Sequence, residues 1–157
     1  MKIRMANDDD RDGICKLADE INMEHFNHMP RYFAKPKADR SDWWYWQSTF
    51  QKEDRFMLVC IMDETVVGFV SASIVDTPDL PFLVSMKRCL IGTIVVASHY
   101  QRKGIASQLV ARVCEVAKEK GAIDLGLEVM DFNRGAREFY RKLGFGCFSE
   151  RLSKSLD

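Results

Sequence analysis

Ile91-Gly92-Thr93-Ile94-Val95-Val96-Ala97-Ser98-His99-Tyr100-Gln101-Arg102-Lys103-Gly104-Ile105-Ala106-Ser107 carries a β-branched run through a polar loop into a helix. The run reads as a strand, and Gly104 opens an amphipathic helix with Ile105, Leu109, Val113, Val116 and Ala117 on one face. A helix N-terminus presents N–H groups without intrahelical partners and a partial positive charge, so this loop suits a phosphate group. Gly104 lets a ligand approach the backbone, and Arg102 and Lys103 add formal charge. The alternative is a turn into a surface helix with two solvated basic residues. Neither GxxxxGK[ST] nor GxGxxG occurs here.

After that helix come Leu125-Gly126-Leu127-Glu128-Val129, then Asn133, Ala136, Phe139-Tyr140, Lys142 and Gly144-Phe145. Together the two stretches resemble the GNAT superfamily of N-acetyltransferases. Residues 101–106 match its [QR]-x-x-G-x-[GA], and residues 133–145 match N-x-x-A-x-x-F-Y-x-K-x-G-F. The resemblance implies an α/β fold of the α+β type, in which a mixed, mostly antiparallel sheet is flanked by helices and a central strand pair splays apart. It implies acetyl-CoA as acetyl donor, with Ile94, Val95 and Val96 along the pantetheine arm. The pyrophosphate would lie on the N–H groups of Arg102, Lys103, Gly104, Ile105, Ala106 and Ser107, after Gln101. Asn133 would hydrogen-bond the pantetheine, and it is equally placed as a helix N-cap.

Tyr140 is the foremost catalytic candidate. Attack of an amine on a thioester expels a thiolate, and a phenol at the sulfur can donate a proton to it. The alternative is aromatic packing beside Phe139 and Leu143. Glu128 is the first candidate general base, in an arrangement similar to that of bacterial ribosomal-protein N-terminal acetyltransferases. A structural carboxylate paired with an Arg fits it as well. Another acid, a His or a water remains open for the role. Lys142 and Arg141 read as a solvated helix face.

Upstream, the pattern predicts a strand over 2–6 and a helix from the acidic turn after Asn7 to about Asn27, with Ile14, Leu17, Ala18 and Ile21 at helical spacing. A loop with Pro30 and Pro36 leads to a second helix, capped by Ser41 or Asp42, whose Trp43, Trp46 and Phe50 share a face. Runs at 55–62 and 66–75 form a hairpin about Asp63-Glu64. Strands follow at 89–97 and 123–130, helices at 105–120 and 133–143, and closing strands over 145–153. Residues 1–157 are expected to be a single N-acetyltransferase domain, with an acceptor-side half over 1–87 and an acetyl-CoA-binding half over 88–157. In the acceptor half, Trp44 and Tyr45 point away from the core face, and Glu24, His25 and His28 end the first helix. Glu24, His28, Trp44 and Tyr45 are therefore candidates for binding the substrate amine.

The chain has 157 residues, of which 46% are apolar and 29% charged, as in a globular domain. Its 23 Lys and Arg balance 23 Asp and Glu, so no overall field favours nucleic acid or a membrane surface. The distribution is uneven. Residues 1–28 hold seven acids and four bases, and residues 102–157 hold eleven bases and eight acids. An acidic half suits a cationic amine, and a basic half suits a polyanionic donor. Five scattered cysteines offer neither a CxxC pair nor an even disulfide set, which points to a reducing cytoplasm. His25 and His28 lack a third metal ligand at a recognisable offset, so no metal is expected.

The resulting expectation is direct acetyl transfer from acetyl-CoA to a primary amine, of a small molecule or of a protein N-terminus or lysine. A non-catalytic acyl-CoA-binding regulatory module is the alternative, and nucleotide binding at 101–106 is a third possibility. The resemblance also implies a homodimer, in which strands of the tail beyond Phe145 would exchange contacts with a second copy.

Overall fold

Alternating apolar residues in the first half form an antiparallel meander, on which the second half adds one parallel strand through a helical crossover. The computed structural model describes residues 1–156. Its strands are β1 (Lys2–Met5), β2 (Arg55–Met62), β3 (Thr65–Asp76), β4 (Lys87–Val96) and β5 (Asp124–Leu127), ordered β1-β2-β3-β4-β5 in one sheet. The β4–β5 pair is parallel and the others are antiparallel. Helices α1 (Arg11–His28) and α2 (Trp43–Ser48) follow β1, while α3 (Ile105–Glu119) and α4 (Arg134–Lys142) bracket β5. This is the mixed, mostly antiparallel sheet flanked by helices that the sequence predicts.

Each sheet face buries its own core. Ile14, Leu17 and Ala18 of α1 and Trp46 of α2 pack with Met57, Val59 and Phe69 on one face. On the other, Ile105, Leu109, Val113, Val116 and Ala117 of α3 pack with Leu58, Cys60, Val70 and Cys89, and Tyr140 of α4 joins them. Alternate residues of β2 serve opposite faces, and so do those of β3 from Phe69 on, with the parity shifted at the bulge opposite Cys60 and Ile61, which explains their near-continuous apolar sequence. The β2–β3 turn uses Asp63 and Glu64, both at positive φ (47° and 61°), as a tight hairpin requires.

The chain enters α1 through a capping box. Asn7 accepts from the Asp9 N–H, and Asp10 accepts from the Asn7 N–H at 2.9 Å. Asp10 is also held bidentately by Arg4 at 2.7 and 2.8 Å. At α2, Asp42 sits at the N-cap without a side-chain cap bond and instead accepts from Trp46 Nε1 at 2.9 Å.

Two sequence-based expectations are corrected. The last strand stops at Leu127, short of 130, because its partner β4 turns away. Among the described residues no strand forms over 145–153, and residues 146–154 are exposed and take part in no backbone ladder. A strand needs a neighbouring strand, and the described residues supply none there.

Candidate functional site

Strands β4 and β5 pair from Arg88↔Asp124 to Ile91↔Leu127, and there the ladder ends. On its other edge β4 continues beside β3 as far as Gly68↔Val96. The segment from Gly92 to Val96 therefore has one backbone edge unmatched, and the strand pair opens into a V. The divergence coincides with a β4 irregularity opposite Ser71 and Ala72, where the Thr93 N–H donates to Ser71 Oγ at 3.1 Å. A Cβ at Gly92 would stand 3.2 Å from that oxygen, a tight contact that the Ser71 hydroxyl would have to yield to by a few tenths of an ångström. Ile94, Val95 and Val96 all lie on the unmatched stretch.

At the mouth of the V the chain passes through a 3-10 turn, Ser98–Tyr100, and then through 101–104 into α3. Gln101 Nε2 donates to the Val96 carbonyl at 3.1 Å, tying the loop to the strand end. Arg102 (φ 60°) and Gly104 (φ 81°) both adopt the left-handed conformation. The first helical bond runs from the Gln108 N–H to the Gly104 carbonyl, which leaves the N–H groups of Ile105, Ala106 and Ser107 ahead of the ladder. No atom lies within 4 Å of the position a Gly104 Cβ would take. Open space over unladdered N–H groups fits a pyrophosphate. Lys103 Nζ stands 5.0 Å from the Tyr100 ring centroid, and Arg102 is exposed.

Across the V, α4 carries Tyr140, which is 7% exposed and packs edge-on against Phe139 and Phe145 at 5.1 and 5.5 Å. Burial pushes its phenol up to about 12, so it stays protonated. Its hydroxyl has no protein hydrogen bond, and no buried side-chain oxygen among the described residues lacks a partner. The Tyr140 hydroxyl therefore reaches accessible space. Asn133 begins α4 as its N-cap, with Oδ1 accepting from the Ala136 N–H at 2.9 Å. Capping uses the oxygen and leaves the Nδ2 amide to donate elsewhere. Glu128 lies one residue beyond β5, 70% exposed and paired with Arg151 at 3.1 Å.

The acceptor-side candidates fall into two separate places. Trp44 and Tyr45 are exposed on α2, whose other contacts reach the start of α1: Gln47 bonds Asp8, and Arg11 lies over Trp43. Glu24 and His28 are at the far end of α1, about 20–25 Å along the helix axis at 1.5 Å per residue. Only that far end approaches the V. His28 stacks on Phe132 at 4.3 Å with the rings 4° from parallel, and His25 contacts Phe132 and Phe33 at 5.6 and 4.7 Å. Each imidazole Nδ1 lies beside a carbonyl, that of Ile21 for His25 and of Glu24 for His28. Phe132 directly precedes Asn133, so this cluster joins the end of α1 to the start of α4. The sequence reading passed over Phe132 and Phe33. An aromatic residue beside the capping Asn133 was the available signal, but its pairing with α1 is non-local.

Among the described residues, no group of three or more His, Cys, Asp or Glu is placed to hold a metal, and no helix is long and apolar enough to cross a membrane. Cys89 lies in the core beneath the V, where burial pushes its thiol up to about 11.

The profile of the Acetyltransferase (GNAT) family matches residues 18–145. An uncharacterised N-acetyltransferase of Methanocaldococcus jannaschii is 28% identical over 145 residues, 91% of this chain and 59% of that protein. The chain thus spans about three-fifths of that relative's length. The thialysine N-epsilon-acetyltransferase of Bos taurus is 41% identical over 51 residues, which is 32% of this chain and 30% of that enzyme. In structure, a tetramutant of the BH1408 protein of Bacillus halodurans superposes with a TM-score of 0.93 at 24% identity, covering 99% of this chain and all of that one. With the splayed strands, the glycine-opened helix and the capped Tyr140 helix in place, this profile match over most of the sequence shows that the chain belongs to the GNAT acetyltransferase family.

Proposed function

We propose that the protein transfers the acetyl group of acetyl-CoA directly to a primary amine. The observation that carries this reading is the V between β4 and β5, which has an open phosphate cradle at its mouth and a protonated, reachable Tyr140 on its far side. The unmatched backbone of Ile94, Val95 and Val96 and the Asn133 amide would hold the pantetheine arm. The N–H groups of Ile105, Ala106 and Ser107, with Arg102 and Lys103, would hold the phosphates. When bound, acetyl-CoA supplies the activated acyl group.

The residues then have distinct tasks. Tyr140 donates a hydrogen bond to the sulfur as negative charge develops there. A phenol near 12 is a weaker acid than a thiol near 8.5, so complete transfer of its proton is uphill. Its contribution is therefore to stabilise the departing thiolate. The amine must shed a proton, and Glu128, at the rim of the V, is the proposed acceptor of it, directly or through water. Cys89, buried in the core with its thiol pushed up to about 11, is no candidate for a covalent nucleophile.

The amine is proposed to enter past Glu24 and His28 at the end of α1. The relative that acts on thialysine, together with the acidic excess over 1–28, supports a small or side-chain amine with cationic character. Trp44 and Tyr45 lie too far along α1 to share that entrance, and the proposal leaves them out. The test is acetyl-CoA turnover with a panel of amines including thialysine, polyamines and N-terminal peptides, for wild type and Tyr140→Phe. The expected result is a kcat loss of about 10²–10⁴ for the variant with unchanged acetyl-CoA affinity. Acetyl-CoA binding without turnover of any amine would instead indicate a non-catalytic acyl-CoA-binding module.

A further inference from the structure

Beyond Leu127 the chain leaves the sheet, and residues 128–133 belong to no strand or helix before α4 begins. This stretch ends in a turn closed by the Asn133 N–H on the Met130 carbonyl at 2.9 Å, with Phe132 as its third residue. Asn133 is the N-cap of α4, so a contact that holds Phe132 also holds the start of that helix. The buried residue of α4 is Tyr140, in its last turn, about 10 Å from Asn133 along the axis. Burial of Tyr140 fixes one end of the helix, and a contact at Phe132 fixes the other.

The end of α1 supplies that contact. His28 lies flat on the Phe132 ring, with centroids 4.3 Å apart and planes 4° from parallel, and His25 meets the ring edge-on at 5.6 Å and 80°. A face contact and an edge contact together restrict the ring in two directions. The imidazoles are themselves fixed. A carbonyl oxygen only accepts, so Nδ1 carries the hydrogen in both rings, donated by His25 to Ile21 at 2.7 Å and by His28 to Glu24 at 2.9 Å. The loop after α1 adds a third side. The Met29 N–H closes the helix on the His25 carbonyl at 2.8 Å, the Phe33 N–H bonds the Met29 carbonyl at 3.1 Å, and the Phe33 ring comes to 4.7 Å from His25. Residues 25–33 thus build a socket whose occupant, Phe132, comes from the other half of the chain.

We propose that Phe132 is a positioning residue for acetyl-CoA: seated on His25 and His28, it places Asn133 so that the Nδ2 amide meets the pantetheine arm. The end of α1 thereby sets the affinity for the donor without touching it. This inference rests on the acetyl-transfer reading and on the role proposed there for Asn133. Its consequence is that His28, at the proposed amine entrance, also serves the donor site.

Isothermal titration of the full chain with acetyl-CoA tests it. Phe132→Ala and His28→Ala are each expected to raise Kd about three- to tenfold, the scale of a lost aromatic contact. Both changes break the same contact, so the double variant is expected to bind no more weakly than the weaker single variant. Phe132→Tyr keeps a ring in the socket and is expected to bind within about twofold of wild type. Asn133→Asp keeps the capping oxygen, loses the amide donor and is expected to weaken binding at least as much as Phe132→Ala. His28 is exposed, so His28→Ala removes no core side chain, and urea unfolding checks the fold of every variant. Unchanged acetyl-CoA affinity in folded His28→Ala and Phe132→Ala overturns the proposal. So do strictly additive losses, or a Phe132→Tyr that binds as weakly as Phe132→Ala. Weak binding in those variants with full affinity in Asn133→Asp also overturns it, by taking Asn133 out of the path. A wild type that does not bind acetyl-CoA would instead remove the donor reading itself, and the proposal with it.

Discussion

Burial acts on Tyr140 in two ways, one chemical and one energetic. Pushed from 10.0 up to about 12, the phenol keeps its proton at every pH at which catalysis is measured, so the alkaline limb of a pH–rate profile belongs to another group. The same shift links the residue to stability. A folded-state value above the unfolded one means that the native protein keeps a proton which the unfolded chain loses between pH 10 and about 12. The stabilisation is fully present below pH 10 and is lost as pH rises toward 12, on the order of 2 kcal/mol. Tyr140→Phe removes this part of the slope, and urea unfolding at pH 9 and pH 11 measures it. An identical pH 9 to 11 difference in both proteins would refute the buried phenol as its source. Arg102 offers a second residue-scale test, since its left-handed φ of 60° is strained for a side chain with a Cβ. Arg102→Gly is expected to keep or raise stability by up to about 1 kcal/mol while weakening acetyl-CoA binding through the lost charge. Parallel loss of both would place Arg102 in the fold and not in the cradle.

At the scale of elements, local signals and partnered signals behaved differently. Strands β2 to β4 and helix α3 were legible because β-branched runs and the Ile105, Leu109, Val113, Val116 periodicity reflect contacts the structure makes. The glycine-opened turn into α3 was equally legible, since Gly104 takes a positive φ of 81° that favours glycine. The closing strands over 145–153 were misread because alternation reports a capacity to pair, and pairing needs a neighbouring strand that the described residues do not provide there. The His25, His28, Phe33 and Phe132 cluster escaped for a related reason, since nothing in sequence spacing joins residue 28 to residue 132. The entry into α1 carries a prediction of its own. Asp10 is 5% exposed and receives Arg4 and the Asn7 N–H, so Arg4→Met leaves a buried carboxylate with one partner fewer. Because Arg4 itself is partly exposed, water softens the penalty, and the expected loss is about 2–3 kcal/mol in chemical denaturation. Asp10→Asn with Arg4→Met together should lose less than the sum of the two single changes, and simple additivity would count against the pair.

Across the whole molecule, the balanced charge of 23 against 23 is unevenly spread, with acids in excess over 1–28 and bases in excess over 102–157. The sheet separates an α1/α2 core from an α3/α4 core, and in the V between β4 and β5 the strand ladder stops at Ile91↔Leu127. A ligand in that V would contact β4, the start of α3 and the start of α4 together, supplying the cross-connections that the strand ladder stops making at Leu127. It would bind the native arrangement and not the unfolded chain, so mass action stabilises the fold by about 2.7 kcal/mol at a hundredfold excess over Kd. For a chain of this length that corresponds to a rise of roughly 5–10 °C in Tm. Acetyl-CoA is expected to give this rise, and desulfo-CoA nearly the same, because the phosphates and pantetheine make the contacts. ATP offers phosphates without the pantetheine arm and is expected to give little. Gly104→Val should abolish the acetyl-CoA shift, since a branched side chain at φ 81° both strains the loop and fills the open cradle. An ATP shift equal to that of acetyl-CoA would reassign the loop to nucleotides. An undiminished acetyl-CoA shift in folded Gly104→Val would move the donor away from the V altogether.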